Sequence, residues 1–474
     1  MKLLKLSTVF LALFICSVSP AEIKDLSESA QPVSAKELAR MEKDFNADPT
    51  NRLRQNALTK DHIDNLTRNY KVVTSIDNTF SHKIDDWEVT NQKHSGRCWM
   101  FAGMNFLRAG AIKKMNIENF EFSQSYVFFW DKFERSNYLL EAIIDTADRP
   151  DGDRVIDFLL STSLGDGGQW NMFVSLVKKH GLVPKSAMPE SFSSSNSRKM
   201  NLMLRKKLHE GAMNIRKLHA NGADIKKLRQ VKKETLTVIY RMLCIHMGTP
   251  PEKFIWQWRD KDNNFHRDGE MTPKQFAEKY VTVDIDEYVC LVNDPRETSP
   301  MNRTMTIAYL GNVVGGDQII YLNVDISLIK ELAMKTIMDG EPVWFGCDSG
   351  KKISGELGLW DDQLYDYESA YGTDFPMTKA QRMVYHISQM VHAMVFTGVD
   401  VLGSKPRKWR VENSWSEKKG LDGFYILTDK WFDEYVFEVA IKKSMLSEKL
   451  QNALKEKPIV LPPWDPMGAL ALAK

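Results

Sequence analysis

Cysteine is scarce in this chain, with five residues in 474, and no two of them are separated by only two positions. So few thiols argue against a disulfide scaffold and against a CxxC redox or zinc site. An excess of one charge is also lacking, because 64 Lys and Arg face 62 Asp and Glu, so a globally basic nucleic-acid binder is not expected. Beyond the N-terminus no apolar run approaches the roughly 18 residues that cross a bilayer, and no transmembrane segment is predicted.

The remaining composition, 43% apolar and 27% charged, is typical of a globular protein of about three domain-sized units. At the N-terminus, Lys2 and Lys5 precede a short apolar run over 9–18, and small residues lead to Ala21. This pattern predicts a signal peptide over 1–21, cut near Ala21, and hence an exported protein, periplasmic or secreted. The alternative is a buried N-terminal helix.

Apolar spacing predicts mainly helices early in the chain and strands late, which indicates an α+β protein with two packed lobes. Helices are expected over 98–110, 122–147 and 170–179, and strands at 72–73, 393–399, 408–411 and 423–427. Between Arg198 and Lys233, twelve basic residues face two acids in an amphipathic helical pattern. This basic segment is either a solvated helix face or a surface for a polyanion or an acidic partner.

The strongest local motif is Gln92-x5-Cys98-Trp99. A cysteine that begins a helix has its thiolate favoured by the helix dipole and by free N–H groups, which predicts a lowered thiol pKa. Six residues upstream, the Gln92 amide can join the Cys98 N–H in an oxyanion hole. A buried structural cysteine beside a tryptophan is the alternative.

A thiolate nucleophile needs a base that also protonates the leaving amine, and His392 is the best-placed candidate because it begins an apolar strand. Asn413 follows 21 residues later, at the end of the next predicted strand and just before Ser414-Trp415. An Asn carbonyl can hold the imidazole in the required tautomer, and a tryptophan can shield that bond. The predicted catalytic set is therefore Cys98, His392, Asn413 and Gln92.

Two other candidate motifs lack the residue spacing that their function requires. His209-Glu210 has Met213 where a zinc peptidase needs a second histidine, and Gly346–Lys351 is too short for a phosphate loop. The remaining cysteines of the body are expected to be small buried apolar residues: Cys244, Cys290 and Cys347. No cofactor or metal is predicted.

The order Gln, Cys, His, Asn, with Cys-Trp and Asn-Ser-Trp, resembles papain-like cysteine peptidases. Two departures stand out, since Ser95 replaces a cysteine of the usual string and His392 lies 294 positions after Cys98. In both respects the chain resembles the bleomycin hydrolase and aminopeptidase C family. The stretches that carry this resemblance are 92–102, 122–132, 166–170, 259–266, 343–348, 392–394, 412–415 and 464–470.

The resemblance implies a papain-like core with helical insertions, a homo-hexamer that encloses its active sites, and aminopeptidase activity on peptides. The layout predicted with it is a signal peptide (1–21), a helical lobe with the nucleophile (22–195), a largely helical inserted region that is basic in its first part (196–330), a β-rich lobe with His and Asn (331–457) and a C-terminal arm (458–474).

The resemblance also places the arm in the active-site cleft, where its carboxylate pairs with the substrate amine and measures length from a free N-terminus. Substrate-cleft residues on this basis are Trp415, Ala471 and Lys474. Many relatives end near Gly-Ala-Leu-Ala, whereas three residues follow Ala471 here, so trimming of the tail is one hypothesis. The alternatives are a cysteine endopeptidase, a polyanion-binding protein that uses 198–233, and an inactive peptidase-like scaffold.

Overall fold

The computed structural model describes residues 29–84 and 87–472, so the predicted signal peptide and Lys474 lie outside the described residues. The chain divides after Leu66 into two compact units. In the first unit, Ser34 caps helix α1 (Ala35–Ala47) with a capping box to Glu37, and Asp48 caps helix α2 (Pro49–Leu58), which has Pro49 at its first position. These local signals are enough to begin both helices.

Most of the helices begin directly after a residue whose side chain caps the first turn. The α-helices of the described residues are α1 Ala35–Ala47, α2 Pro49–Leu58, α3 Ile63–Thr67, α4 Tyr70–Ser75, α5 Cys98–Met115, α6 Gln124–Asp145, α7 Arg154–Ser161, α8 Trp170–His180, α9 Phe192–Ser195, α10 Arg198–Ala220, α11 Ile225–Met247, α12 Pro273–Tyr280, α13 Ile326–Met338, α14 Tyr367–Tyr371, α15 Lys379–Val384, α16 Asp429–Tyr435 and α17 Glu448–Ala453. Helices α5, α10, α16 and α17 have no such cap. Short 3-10 helices occupy Ile285–Glu287, Lys443–Met445 and Pro466–Leu472.

The strands are short and rich in apolar residues. They are β1 His82–Lys83, β2 Phe254–Arg259, β3 Phe265–Met271, β4 Tyr288–Val292, β5 Arg303–Ile307, β6 Tyr321–Asn323, β7 Val343–Cys347, β8 Ile353–Ser354, β9 Leu359–Trp360, β10 His392–Leu402, β11 Lys405–Glu412, β12 Phe424–Thr428, β13 Val436–Lys442 and β14 Ile459–Leu461.

Twelve of these strands form one sheet in the order β14-β5-β6-β4-β13-β7-β10-β11-β12-β9-β8, with β1 paired to β10, and β2 and β3 form a separate hairpin. Neighbours at the centre of the sheet, β13-β7-β10-β11, run antiparallel. The α+β prediction is confirmed. The region 196–330 is helical mainly up to Met247, because from 254 onward it also supplies β2–β6.

Both faces of the central sheet are buried, and alternate residues of each strand pack on opposite sides. Ala393 and Val395 of β10 belong to a core shared with α5, α6 and α8, while Met394 and Phe396 belong to a second core shared with α13 and α16. Period-two alternation in a doubly covered strand produces a continuous apolar run. This explains why residues 393–399 do not show the alternation of apolar and polar residues that is typical of a strand with one exposed face.

Two local predictions are wrong. The Val72-Val73 pair lies in the helix α4, because Asn69 caps that helix by accepting from the Lys71 N–H. Helix α5 continues past Gly110 to Met115 and ends at Asn116, which adopts a left-handed conformation with φ 51°. Gly110 is there for close packing, since a Cβ at that position would lie 1.8 Å from the Thr282 hydroxyl oxygen.

The basic segment forms two antiparallel helices, α10 and α11, in which Leu204, Leu208, Ile215 and Leu228 of the predicted apolar stripe are buried, whereas Ile225 is exposed. Gly211 permits their close approach, because a Cβ there would lie 2.8 Å from the Thr235 side chain. Part of the positive charge is matched by acids of the neighbouring helical layer, with Lys232 2.5 Å from Glu141. No helix in the described ranges is both long and apolar enough to cross a membrane.

Glu438 of β13 is fully buried, and among the described residues its carboxylate has the weak Cys290 thiol as its one neighbouring donor. Burial raises the pKa of Glu438 to about 8. Since the unfolded chain ionises this group near its ordinary pKa while the folded chain keeps its proton, stability is expected to fall as pH rises from about 5 to 8, by on the order of a few kcal/mol.

Glu438→Gln is expected to flatten this pH dependence. The measurement is urea unfolding of the wild type and the variant at pH 5 and pH 8. Glu448→Gln, at an exposed site on α17, is the matched control. An equal loss of stability in all three proteins would contradict the assignment to Glu438.

Candidate active site

Cys98 begins α5, at the point where this helix meets the sheet. The preceding residue, Arg97, makes no side-chain capping bond, so no side chain competes for the first N–H groups of the helix. The backbone N–H groups of Ala393, Trp99 and Cys98 itself lower the pKa of the thiol, which places all three against the sulfur. Because Ala393 adjoins His392 in β10, the sulfur lies beside the strand that carries the predicted base.

The start of α5 is fixed from behind by Trp99. Its indole N–H donates to the Asp166 carbonyl at 2.7 Å, and the Trp344 indole N–H donates to the Trp99 carbonyl at 3.1 Å. A Cβ on Gly168 would lie 2.4 Å from the Trp99 ring. The Asp-Gly-Gly loop therefore needs glycine at this position so that the tryptophan can pack against the backbone.

His392 is buried at the start of β10 and pairs with Cys347 of β7. Its Nε2 lies 2.9 Å from Asn413 Oδ1, and the Ser414 backbone N–H donates to the same oxygen at 2.8 Å. An atom that accepts from a backbone N–H must be the carbonyl oxygen of the amide, so Nε2 carries the hydrogen and donates. The Nδ1 atom of His392 is then the basic nitrogen of the ring.

The Asn-Ser-Trp segment is joined directly to the residues that precede the cysteine. The Trp415 ring stacks on His392 with a centroid distance of 4.9 Å, and Trp415 also forms a β-bridge with Asn91. The Gln92 backbone N–H donates to the Ser414 carbonyl at 2.9 Å. Two stretches more than 300 residues apart in sequence thus form one side of the site.

Gln92 has its side chain oriented by two hydrogen bonds. The Ser414 hydroxyl donates to Gln92 Oε1 at 2.6 Å, and Gln92 Nε2 donates to the Ser95 carbonyl at 2.6 Å. A primary amide has two N–H donors, so one is left for a substrate oxygen. The structure therefore brings together all four residues of the predicted catalytic set.

The pKa values of the thiol and the imidazole move apart in the unliganded site. Burial raises the pKa of Cys98 to about 11, despite the N–H groups that act in the opposite direction. Burial lowers the pKa of His392 to about 4, against the hydrogen bond to Asn413. Both shifts favour the neutral pair. The expectation of a lowered thiol pKa is wrong for this state, because desolvation of a side chain that is 2% exposed outweighs the helix dipole.

An open groove of about 710 Å³ adjoins the nucleophile loop. Its walls include residues 93–96, Gly165, the start of α10 and Leu472 of the C-terminal 3-10 helix. Ala471 is buried, next to a small cavity formed with α6 and α7. The described end of the arm therefore lines the same groove as the loop that precedes Cys98.

Sequence analysis missed two residues of the site. Asp166 is named there only within 166–170, one of the stretches that carry the resemblance, and Ser414 only as part of the Asn-Ser-Trp string. The Asp166 carboxylate accepts from the Gly96 N–H at 3.1 Å, and Ser414 holds both Gln92 and Asn413. A buried acid between glycines, close to a nucleophile motif only in space, leaves no local pattern that could have revealed it.

Comparisons with known proteins agree with this arrangement. The sequence model of the Peptidase C1-like family matches residues 32–468. Aminopeptidase C of Lactobacillus delbrueckii subsp. lactis is 43% identical over 419 residues, which cover 88% of this chain and 93% of the relative. Bleomycin hydrolase of Rattus norvegicus is 42% identical over 449 residues, which cover 93% of this chain and 99% of the relative.

A solved structure shares the whole architecture. The crystal structure of PepW from Lactobacillus rhamnosis HN001 superposes with a TM-score of 0.91 at 44% identity, covering 92% of this chain and 99% of that one. Such identity and coverage leave no domain of the relative unmatched. The chain belongs to the Peptidase C1-like family, in its bleomycin hydrolase and aminopeptidase C branch, and is a cysteine peptidase.

Proposed function

We propose that this protein is a cysteine-type aminopeptidase that removes N-terminal residues from peptides through an acyl-enzyme on Cys98. The observation that carries the proposal is the fixed tautomer of His392, since the Ser414 N–H orients the Asn413 carbonyl and leaves Nδ1 as a base. The names of the relatives, aminopeptidase C and bleomycin hydrolase, support the reaction class.

In the proposed reaction the Cys98 sulfur attacks the scissile carbonyl carbon while His392 Nδ1 takes the thiol proton. The C–N bond then breaks, and the same nitrogen returns the proton to the leaving amine. Water hydrolyses the thioester with His392 again as the base. Since both groups are neutral before attack, proton transfer accompanies formation of the S–C bond. The Cys98 N–H and the free N–H of Gln92 stabilise the oxyanion.

The second part of the proposal is that the C-terminal arm limits cleavage to free N-termini. Its base is anchored by Arg296, which lies 2.9 Å from Asp465, and the arm then runs through buried Leu470 to Leu472 at the groove. An arm that fills one end of the groove leaves room only for the first residue of a substrate.

The test compares a free-amine aminoacyl-coumarin amide with the same amide carrying an N-acetyl group, and with an N-blocked peptide. The full chain is expected to prefer the free amine by about 100-fold or more, a discrimination within the range of such contacts. Deleting residues 466–474 is expected to raise cleavage of the N-blocked peptide, whereas deleting only 473–474, which leaves Leu472 in place, is expected to change it less.

Unchanged cleavage of the N-blocked peptide by a folded 466–474 deletion would contradict the arm's role and leave the peptidase assignment intact. Equal cleavage of free and blocked substrates by the full chain would instead favour an endopeptidase. The ion pairs of the basic segment with acids of α6 and its flanking loop support a structural role for part of that charge and do not favour polyanion binding.

We also propose export, supported by the N-terminal pattern over 1–21, and a hexameric assembly, supported by the family resemblance. N-terminal sequencing of the mature protein and sedimentation analysis of the purified protein address these two points separately.

A further inference from the structure

Asp166 is the centre of a buried polar cluster behind the nucleophile loop. It is 1% exposed and lies between α7 and α8. One carboxylate oxygen accepts from the Gly96 N–H at 3.1 Å and from the Ser197 hydroxyl. The other accepts from Asn201 Nδ2 at 2.6 Å and pairs with Lys132 Nζ at 2.7 Å. Four donors from three parts of the chain therefore converge on one side chain.

This carboxylate is held in its charged form. Burial alone would raise the pKa of Asp166, but the Lys132 ammonium and the hydrogen bonds from Ser197 and Asn201 lower it well below its ordinary range. Lys132 is itself fully buried and also donates to the Gly165 carbonyl at 2.5 Å. The two side chains form an internal ion pair in which both partners make further hydrogen bonds, the condition in which buried charge is tolerated.

Gly96 lies between the two ends of the predicted oxyanion hole, four residues after Gln92 and two before Cys98. A shift of its peptide would move the Cys98 N–H, because only Arg97 intervenes. Arg97 is fixed separately, by a two-pronged pair to Glu190 at 2.8 and 2.9 Å. The loop is thus held at two adjacent residues: Glu190 holds the Arg97 side chain, and Asp166 holds the Gly96 backbone.

We propose that Asp166 is a positioning residue that holds the Gly96 peptide and ties the nucleophile loop to the first inserted helix, α10, through Ser197 and Asn201. The proposal rests on Cys98 being the nucleophile of the proposed function. It gives part of the insertion a task in catalysis, because the N-terminal turn of α10 completes the cluster that orients the oxyanion donors.

The same charge acts on the nucleophile through space. Asp166 raises the pKa of the Cys98 thiol, although burial is the larger cause. Removing the charge while Lys132 remains protonated makes the surroundings of the sulfur more positive. A variant that removes the Asp166 charge is therefore expected both to disturb the position of the loop and to increase the fraction of Cys98 thiolate. A residue with a purely structural role would not change the thiolate fraction.

The test is Asp166→Asn, with Asp131→Asn as the matched control. Asp131 is also fully buried and contacts Arg135 at 3.0 Å and Asn312 at 2.9 Å, but has no bond to the nucleophile loop. Asp166→Asn is expected to lower kcat by about 10-fold with little change in KM, because donor geometry is disturbed. In the His392→Ala background, where the Cys98 thiol must ionise unaided, adding Asp166→Asn is expected to shift the pH profile of Cys98 alkylation by iodoacetamide to lower pH by about half a unit.

Asp131→Asn is expected to leave kcat near that of the wild type and, in the His392→Ala background, the alkylation profile near that of its parent. The alkylation readout needs no peptide substrate, so it still tests the positioning proposal if the wild type proves inactive on aminoacyl amides, a result that would defeat the proposed function instead. An unshifted profile in that background and an unchanged kcat in folded Asp166→Asn would overturn the proposal.

Two milder variants decide the matter if Asp166→Asn does not fold. Ser197→Ala and Asn201→Ala each remove one hydrogen bond to the carboxylate and keep its charge, so kcat is expected to fall about 3-fold with no shift of the alkylation profile. Ser197→Thr, which keeps the hydroxyl, is expected to restore kcat. Wild-type kcat in both alanine variants would overturn the link between α10 and the loop.

Discussion

Cys98→Ala is expected to lower kcat/KM on aminoacyl-coumarin amides by more than about 10⁴-fold, because removing a nucleophile removes the covalent pathway altogether. The fold is expected to survive, since alanine is smaller than cysteine and the surrounding contacts come from Trp99 and Trp344. The measurement is steady-state hydrolysis together with circular dichroism and the sedimentation profile of the same preparation.

Cys244→Ala is the matched control, since this cysteine is half-buried in α11 and takes no part in the site. The control is expected to keep wild-type activity. Iodoacetamide is expected to inactivate the wild type with a single adduct on Cys98, located by peptide mass spectrometry. Substantial activity in Cys98→Ala, or inactivation that tracks another cysteine, would remove the proposed chemistry.

The placement of the four candidate residues could be predicted because each lies in a distinctive short string. Gln92 and Cys98 share one motif, and Asn413 is followed by Ser-Trp. His392 had a weaker signal, its position at the start of an apolar strand, and the register of β10 against β7 places it at the end of the sheet near Cys98. Such motifs can be recognised in the sequence because their residues lie close together in the chain, on one structural element.

What sequence reasoning missed depends on contacts between distant parts of the chain. Asp166 meets Gly96 across 70 positions, and the Gln92–Ser414 bond spans 322. The strands β4 to β6 were missed for another reason, since runs of three to five buried residues carry no period that separates strand from helix. The Val72-Val73 error shows that a cap can outweigh β-branched propensity over a single turn.

The thiol pKa shows a limit of a different kind. The sequence correctly indicates a cysteine at a helix N-terminus, and the N-terminal N–H groups do act on the sulfur. It does not show how completely the site is buried, and burial determines the sign of the net shift. The raised pKa of Cys98 and the lowered pKa of His392 both favour the neutral thiol and the neutral imidazole.

His392→Ala is expected to slow alkylation of Cys98 by iodoacetamide at pH 7 by about 100-fold or more, and to change its pH dependence. In the wild type the neutral imidazole takes the thiol proton, so the rate is expected to hold as pH falls and to drop only when His392 is protonated, near its lowered pKa of about 4.

Without that base, the thiol must ionise unaided. Because burial raises the pKa of Cys98 to about 11, the alkylation rate of His392→Ala is expected to rise about tenfold per pH unit from pH 7 to 9. Added imidazole is expected to restore part of the rate at pH 7, since the vacated space lies next to the sulfur. His246→Ala, which loses only a hydrogen bond to Ser193, is the control. A flat profile for His392→Ala would mean that the thiolate forms without His392, and the base would then have to be sought elsewhere around Cys98.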